Sequence, residues 1–219
     1  MLPQLRGGRL RISVAHGIWS SQILFLVVIS CLWFGCNNTA KEIVKERNIY
    51  SRERAANLSG FSYYASKFVF FGIVGGLQAG LLWFIVMMGT KIDVSFLAGL
   101  VLLVSLAMVG TVLGLCISVF SKTEEFASSM VPLVIIPQII LAGFIHKVEG
   151  ILWLISSLFI PAYWGYGGAA SLLEKSMREM LIPKMDDWNY LVVALLALTV
   201  QLVVLAGISL FQLSREKGD

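Results

Sequence analysis

Apolar and polar positions along this chain fall into long blocks rather than short alternations. Near-continuous apolar runs cover 18–38, 64–88, 94–120, 126–145 and 188–213. Each run is about 20 residues or more, the length an α-helix needs to cross roughly 30 Å of hydrocarbon. Lipid offers no partner to an unpaired amide or carbonyl, so each run must close its own hydrogen bonds as a helix. A membrane β-barrel would instead show strands of about ten residues with alternating polarity, and the runs here are continuous. The pattern predicts an all-α polytopic membrane protein of about five crossings.

The polar breaks between the runs carry the rest of the organisation. The densest is KEIVKERNIYSRERAANL at 41–58, with Lys41, Glu42, Lys45, Glu46, Arg47, Arg52, Glu53 and Arg54. Desolvating such charges costs several kcal/mol each, so this segment lies in water while its neighbours cross the bilayer. Mixed signs at helical spacing predict a helix lying against another surface and facing a soluble partner. Glu42 with Lys45 and Glu46 with Arg47 offer local charge compensation. GTKID at 89–93 is a short turn. Ser121 and Glu124 have the spacing of a capping box and predict a helix start.

The apolar runs differ in their small and helix-breaking residues. Gly72, Gly76 and Gly80 stand four apart and predict a face for close helix packing. Gly110 and Gly114 form a second small pair. Pro132 and Pro137 fall inside the fourth run, where they free carbonyls and bend the helix. Trp19 and the pair Trp33–Phe34 suit interfacial anchors of the first crossing, and Trp188 and Tyr190 those of the last. The stretch 146–187 is too broken for an easy crossing. It is read as an outer segment that dips into the membrane and returns, against a sixth full crossing. The domain reading is a polar N-terminal segment at 1–17, a membrane domain at 18–213 and a short charged tail at 214–219.

Composition agrees with the block pattern. Of the 219 residues 58% are hydrophobic and 14% charged, against about 25% charged in an ordinary globular domain. The net charge of +4 does not argue for a nucleic-acid partner; in a membrane protein a modest basic excess sits in cytoplasmic loops. Cys31, Cys36 and Cys116 are odd in number and form no CxxC, so they are read as packing residues. There is no P-loop, and His16 and His146 are isolated. No Ser/His/Asp set, paired intramembrane carboxylates or HExxH spacing is present, and no metal site is expected. Glu174 and Glu179 belong to a solvated outer face.

Five crossings place the two ends of the chain on opposite sides. With 41–58 cytoplasmic, Lys122, Arg215 and Lys217 are cytoplasmic too, and Arg6, Arg9 and Arg11 fall outside. A longer chain with one more upstream crossing would resolve that conflict with the distribution of basic residues.

Two stretches, FGCNNTAKEIVKERNIYSRERAANLSGFSYYASKF at 34–68 and PAYWGYGGAA at 161–170, resemble the membrane half of the G subfamily of ABC exporters and the type-2 ABC exporter permeases of bacteria. The resemblance extends from about residue 18 to the C-terminus. It implies helices two to six of a six-helix domain, without the first helix and without the nucleotide-binding domain. It implies that the charged segment passes motion from an ATP-binding domain to the membrane, through Glu46, Arg47, Tyr50, Arg52, Glu53 and Arg54. It implies a substrate path between two copies, lined here by Phe34, Ile136, Ile139 and Phe144, for a hydrophobic or amphipathic cargo. The chain itself is then no enzyme and holds no cofactor. ATP and magnesium sit on a partner domain, the second permease copy and the lipid are the other partners, and the bacterial inner membrane is the expected location. The competing expectation from the residues is an ATP-independent secondary carrier or channel, which the lack of mid-membrane ionisable groups and of paired halves disfavours.

Overall fold

The computed structural model describes residues 3–57, 59–90, 92, 94–145, 148–173 and 187–215, with 3–18, 55 and 187–189 as backbone alone. The side chains of His16 and Trp188, His146, the piece 174–186 with Glu174 and Glu179, and the end of the tail at 216–219 lie outside these residues. Helix α1 runs from Pro3 to Thr39 and is followed by a one-turn α2 (Glu42–Lys45) and α3 (Arg47–Ala55). Then come α4 (Gly60–Gly89), α5 (Phe96–Phe120) and α6 (Glu124–Leu141). Two short helices, α7 (Ile151–Phe159) and α8 (Pro161–Ser171), precede the long α9 (Asp187–Arg215). The described residues are helical throughout apart from turns and connectors. Among the described residues, five segments are long and apolar enough to cross a membrane: Trp19–Lys45, Gly60–Gly89, Phe96–Phe120, Glu124–Leu141 and Tyr190–Arg215.

α5 is the central post. Its most apolar window is 61% buried, against 22% for α4, α6 and α9. It carries small residues, Ala107, Gly110 and Gly114 among them, that let neighbours approach its backbone. The closest approach is made by α1. A Cβ on Gly35 would overlap the Ala107 carbonyl oxygen, one on Gly110 the Leu32 carbonyl, and one on Gly114 the Cys36 carbonyl and the Thr39 hydroxyl. Glycine is required at these three positions because backbone meets backbone there. Thr39 Oγ1 lies 2.9 Å from both the Gly35 and the Thr111 carbonyl oxygens, so its one hydrogen is shared between its own helix and its neighbour. Gly72, Gly76 and Gly80 also face α5, but a Cβ there would meet only the side-chain tips of Met108, Val104 and Leu100, at 3.9, 3.6 and 3.5 Å.

This packing moves Trp33 and Phe34 away from the interface assigned to them above. Helix α1 runs on to Thr39, and Gly35 packs beside Ala107–Thr111, the middle of α5. Trp33, Phe34, Asn37 and Asn38 therefore lie at mid-span. Burial in hydrocarbon obliges their polar groups to find partners, and Asn38 Nδ2 donates to Gln78 Oε1 of α4 at 2.7 Å.

The start of α6 also differs from expectation. Its N-cap is Thr123, whose hydroxyl accepts from the Phe126 amide at 3.2 Å. Ser121 instead donates back to the Ile117 carbonyl at 2.7 Å and so finishes α5. A hydroxyl that continues its own helix is not free to cap the next one.

α7 and α8 span about 14 and 16 Å at 1.5 Å per residue, so neither crosses. They form a hairpin with its apex at Ile160–Pro161, closed by Trp164 Nε1 donating to the Ser157 carbonyl at 2.8 Å. Pro161 opens α8 at a position where the missing N–H costs nothing. Gln201 of α9 reaches the apex, about 21 Å along α9 from Asp187, by donating to the Ser157 and Leu158 carbonyls at 3.2 and 3.1 Å. The apex thus lies beside the middle of α9.

Candidate functional site

The ends of α1, α5 and α9 and the starts of α4 and α6 meet at one end of the bundle, and α2 and α3 lie against them. The break at Glu46, which the sequence did not announce, splits the charged segment into two helices. α2 has a single turn, too short to persist without outside support. It buries Ile43 and Val44. Its first amides are held by α5: the Ser118 hydroxyl accepts from Ile43 N at 2.9 Å and from Val44 N at 3.0 Å. An N-capping hydroxyl normally comes from the residue before the helix; here it comes from a neighbouring span.

α3 has two faces. Arg47, Tyr50 and Arg54, at spacings of three and four, fall on one side. Tyr50 is 2% exposed, and its ring lies 4.6 Å from that of Tyr63 at the start of α4. Arg47 Nη2 donates to the Val119 carbonyl at 2.7 Å. Arg54 Nη1 donates to the Leu213 carbonyl at 2.5 Å and Nη2 to the Ser214 carbonyl at 2.8 Å. Val119 ends α5 and Leu213 and Ser214 end α9. Last-turn carbonyls have no intrahelical donor and carry the negative end of the helix dipole. Two guanidiniums are therefore the natural caps for two membrane helices, and this accommodates two charges against the bundle.

Glu46, at the break, makes the third attachment. Its Oε1 accepts from Lys67 Nζ at 2.6 Å and its Oε2 from Tyr63 Oη at 3.0 Å, both on α4. Lys67 also lies 3.8 Å from Glu42. These acidic groups pair with Lys67 of α4, and the charge of Lys45 adds to its effect on Glu46. Partial burial alone would raise the Glu46 pKa. The hydrogen bonds from Lys67 and Tyr63, with the charges of Lys67 and Lys45, outweigh it and hold the carboxyl below its usual range.

The other face of α3 is exposed. It carries Asn48, Ile49, Arg52 and Glu53, with Ile49 56% exposed. Of the six residues singled out in the sequence, Glu46, Arg47, Tyr50 and Arg54 point into the bundle. Arg52 and Glu53 alone point away from it. Sequence reasoning missed Ser118, Tyr63 and Lys67, which supply four of these seven hydrogen bonds. Helical phase along α3 could have separated the inward from the outward set. The partners of the arginines are backbone carbonyls, which no side-chain motif reveals.

The four residues assigned to a path do not form one surface in the single chain. Ile136 lies on an exposed strip of α6 with Pro132, Leu133, Pro137 and Ile140. Ile139 packs against the core. Phe144, just beyond α6, stacks on Phe25 of α1 at 4.5 Å and meets Tyr166 of α8 edge-on at 5.5 Å. Phe34 is half-buried on α1, beside an exposed strip that includes Gln22, Leu26, Trp33 and Asn37.

Residues 8–173 match the family described as ABC-2 type transporter. An ABC transporter ATP-binding/permease protein of Mycobacterium tuberculosis is 26% identical to the chain over 184 residues, which are 77% of this chain and 21% of that protein. The chain thus spans 21% of the length of the curated relative it matches.

Proposed function

The chain belongs to the ABC-2 type transporter membrane-domain family, and on that premise we propose that it is the transmembrane part of an exporter driven by ATP hydrolysis on a separate domain. The relative's name joins ATP-binding and permease in one protein, which supports a partner of that kind here, carrying ATP and magnesium. The observation that carries the reading is the two-faced α3. One face is bound to the ends of α4, α5 and α9; the other offers Ile49, Arg52 and Glu53 to solvent. A part built this way moves three spans whenever something grips its outer side.

Charge supports the sidedness. Lys41, Lys45, Arg47, Arg52, Arg54, Lys67, Lys122 and Arg215 outnumber Glu42, Glu46, Glu53, Glu124 and Glu125 at the elbow end. Basic excess marks the cytoplasmic side, where ATP is found. Two copies would enclose the cargo path. The exposed strip of α1 supports this, because Gln22 and Asn37 are poor lipid-facing residues, whereas the strip of α4 with Val69, Ile73, Leu77 and Leu81 is wholly apolar. Apolar linings at Phe34 and Ile136 suit a hydrophobic or amphipathic cargo. ATP binding would push the elbow, tilt the spans and exchange an inward for an outward cavity, with net direction set by different cargo affinities of the two states.

Charge reversal at both exposed positions, Arg52→Glu with Glu53→Arg, tests the reading in the chain assembled with its ATPase domain in lipid vesicles. Loss of cargo-stimulated ATP hydrolysis with the bundle still folded is the expected result. Unchanged stimulation would remove the coupling role. Transport by this chain in vesicles without any ATPase or ATP would favour a secondary carrier.

A further inference from the structure

α7 has almost no packing of its own. Ile151, Trp153, Leu154, Leu158 and Phe159 are exposed, and its one buried residue is Ser156. Besides a side-chain hydrogen bond between Trp153 and Tyr163 of α8, what holds it is a set of bonds to its last carbonyls, which lack intrahelical donors. Gln201 Nε2 of α9 donates to Ser157 and Leu158 at 3.2 and 3.1 Å, and Trp164 Nε1 of α8 donates to Ser157 at 2.8 Å. The start of α8 is held in the same manner, with Gln138 Oε1 of α6 accepting from Ala162 N at 3.1 Å. Gln138 and Gln201 are 3% and 8% exposed. Away from water a broken bond has no replacement, so both glutamines follow the hairpin or move it.

The two glutamines sit on struts of different stiffness. α6 contains Pro132 and Pro137, the second next to Gln138. α9 has no proline from Asp187 to Arg215, and about 18 Å of unbroken helix separates Gln201 from Leu213. At Leu213 and Ser214 α9 is gripped by Arg54 of the elbow. We infer that Gln201 is a positioning residue that passes displacement of the elbow to the α7–α8 hairpin, with α9 as the rod and Arg54 as its lower attachment. A shift of α9 relative to α6 pulls the end of α7 away from the start of α8 unless the hairpin tilts. The inference rests on the function proposed for the chain, since it takes ATP-driven movement of the elbow as its input.

The experiment uses the chain with its ATPase domain in lipid nanodiscs and a non-hydrolysable ATP analogue. One spin-label pair, at Asn48 in two copies, reads the elbow; another, at Leu154 and Leu26 of one copy, reads the hairpin. Both distances shift by about 2 Å or more in the wild type, the scale of helix shifts in switching proteins. Gln201→Met keeps the elbow shift and loses the hairpin shift. Gln201→His, whose ring N–H reaches about as far and can give one hydrogen to a carbonyl, restores it. Should Gln201→Met not assemble, Arg54→Met, which has no donor for the Leu213 and Ser214 carbonyls, cuts the same rod at its other end and gives the same loss. A hairpin shift that survives either cut, or a wild type whose elbow moves while its hairpin stays still, overturns the relay alone. An elbow that does not respond to nucleotide overturns the ATP-driven reading and the relay with it.

Discussion

Glu46 and Lys67 are 21 positions apart in the chain and 2.6 Å apart in space. The pair joins the break between α2 and α3 to the second turn of α4. It is partly solvated, with side-chain exposures of 29% and 18%, so screening reduces its worth. Lys67→Met is expected to lower stability by about 1 kcal/mol, read as a lower unfolding temperature in detergent. The difference from wild type should narrow in high salt.

The same carboxylate sets a pH dependence. Its pKa is lower in the folded protein than the ordinary 4.5. The stabilisation is therefore fully present above that value and is lost as the pH falls through the lower, folded pKa. Unfolding followed from pH 7 downward should show wild type losing stability below about 4.5 more steeply than Glu46→Gln. Parallel curves would mean that Glu46 has no such role.

Ser118→Ala removes the acceptor for two amides at the start of α2. A lost N-cap costs about 0.5–2 kcal/mol. Hydrogen exchange of the Ile43 and Val44 amides should rise well above wild type, while exchange in the middle of α5 stays unchanged. Equal protection at 43 and 44 in the variant would refute the cap.

The glycines separate by what surrounds them. Gly114→Ala places a methyl on the Cys36 carbonyl and the Thr39 hydroxyl of α1 and is expected to cost about 1–3 kcal/mol through forced separation of α1 and α5. Gly72→Ala meets only the flexible tip of Met108 at 3.9 Å and should be neutral or slightly stabilising. Thermal unfolding of the two variants side by side decides this; equal losses would contradict the packing.

Several features of the site are legible in the order of residues alone. The helix-forming runs declare themselves because crossing a bilayer is a local requirement on about 20 consecutive side chains. The wet elbow follows from the cost of burying Lys41 to Arg54 in lipid. Gly110 and Gly114 stand out as a small pair, and they do lie at the tightest seam. Nothing in the sequence signals, however, that Gly35 opposes Gly110, or that the ladder of Gly72, Gly76 and Gly80 meets flexible tips. The facing helix decides which small residues touch backbone.

By itself, then, the chain's sequence determined five apolar rods and the charged segment after the first of them, because each of these depends on the polarity of a contiguous stretch, and it left 146–187 open between a return and a sixth crossing. Only the tertiary structure decided that Arg47 and Arg54 cap α5 and α9, that Glu46 answers to Lys67, and that Arg52 and Glu53 are left outside. Those outcomes depend on helix ends brought together from distant parts of the chain. The groups that bind the arginines are main-chain carbonyls, which every residue carries and which only folding makes distinct.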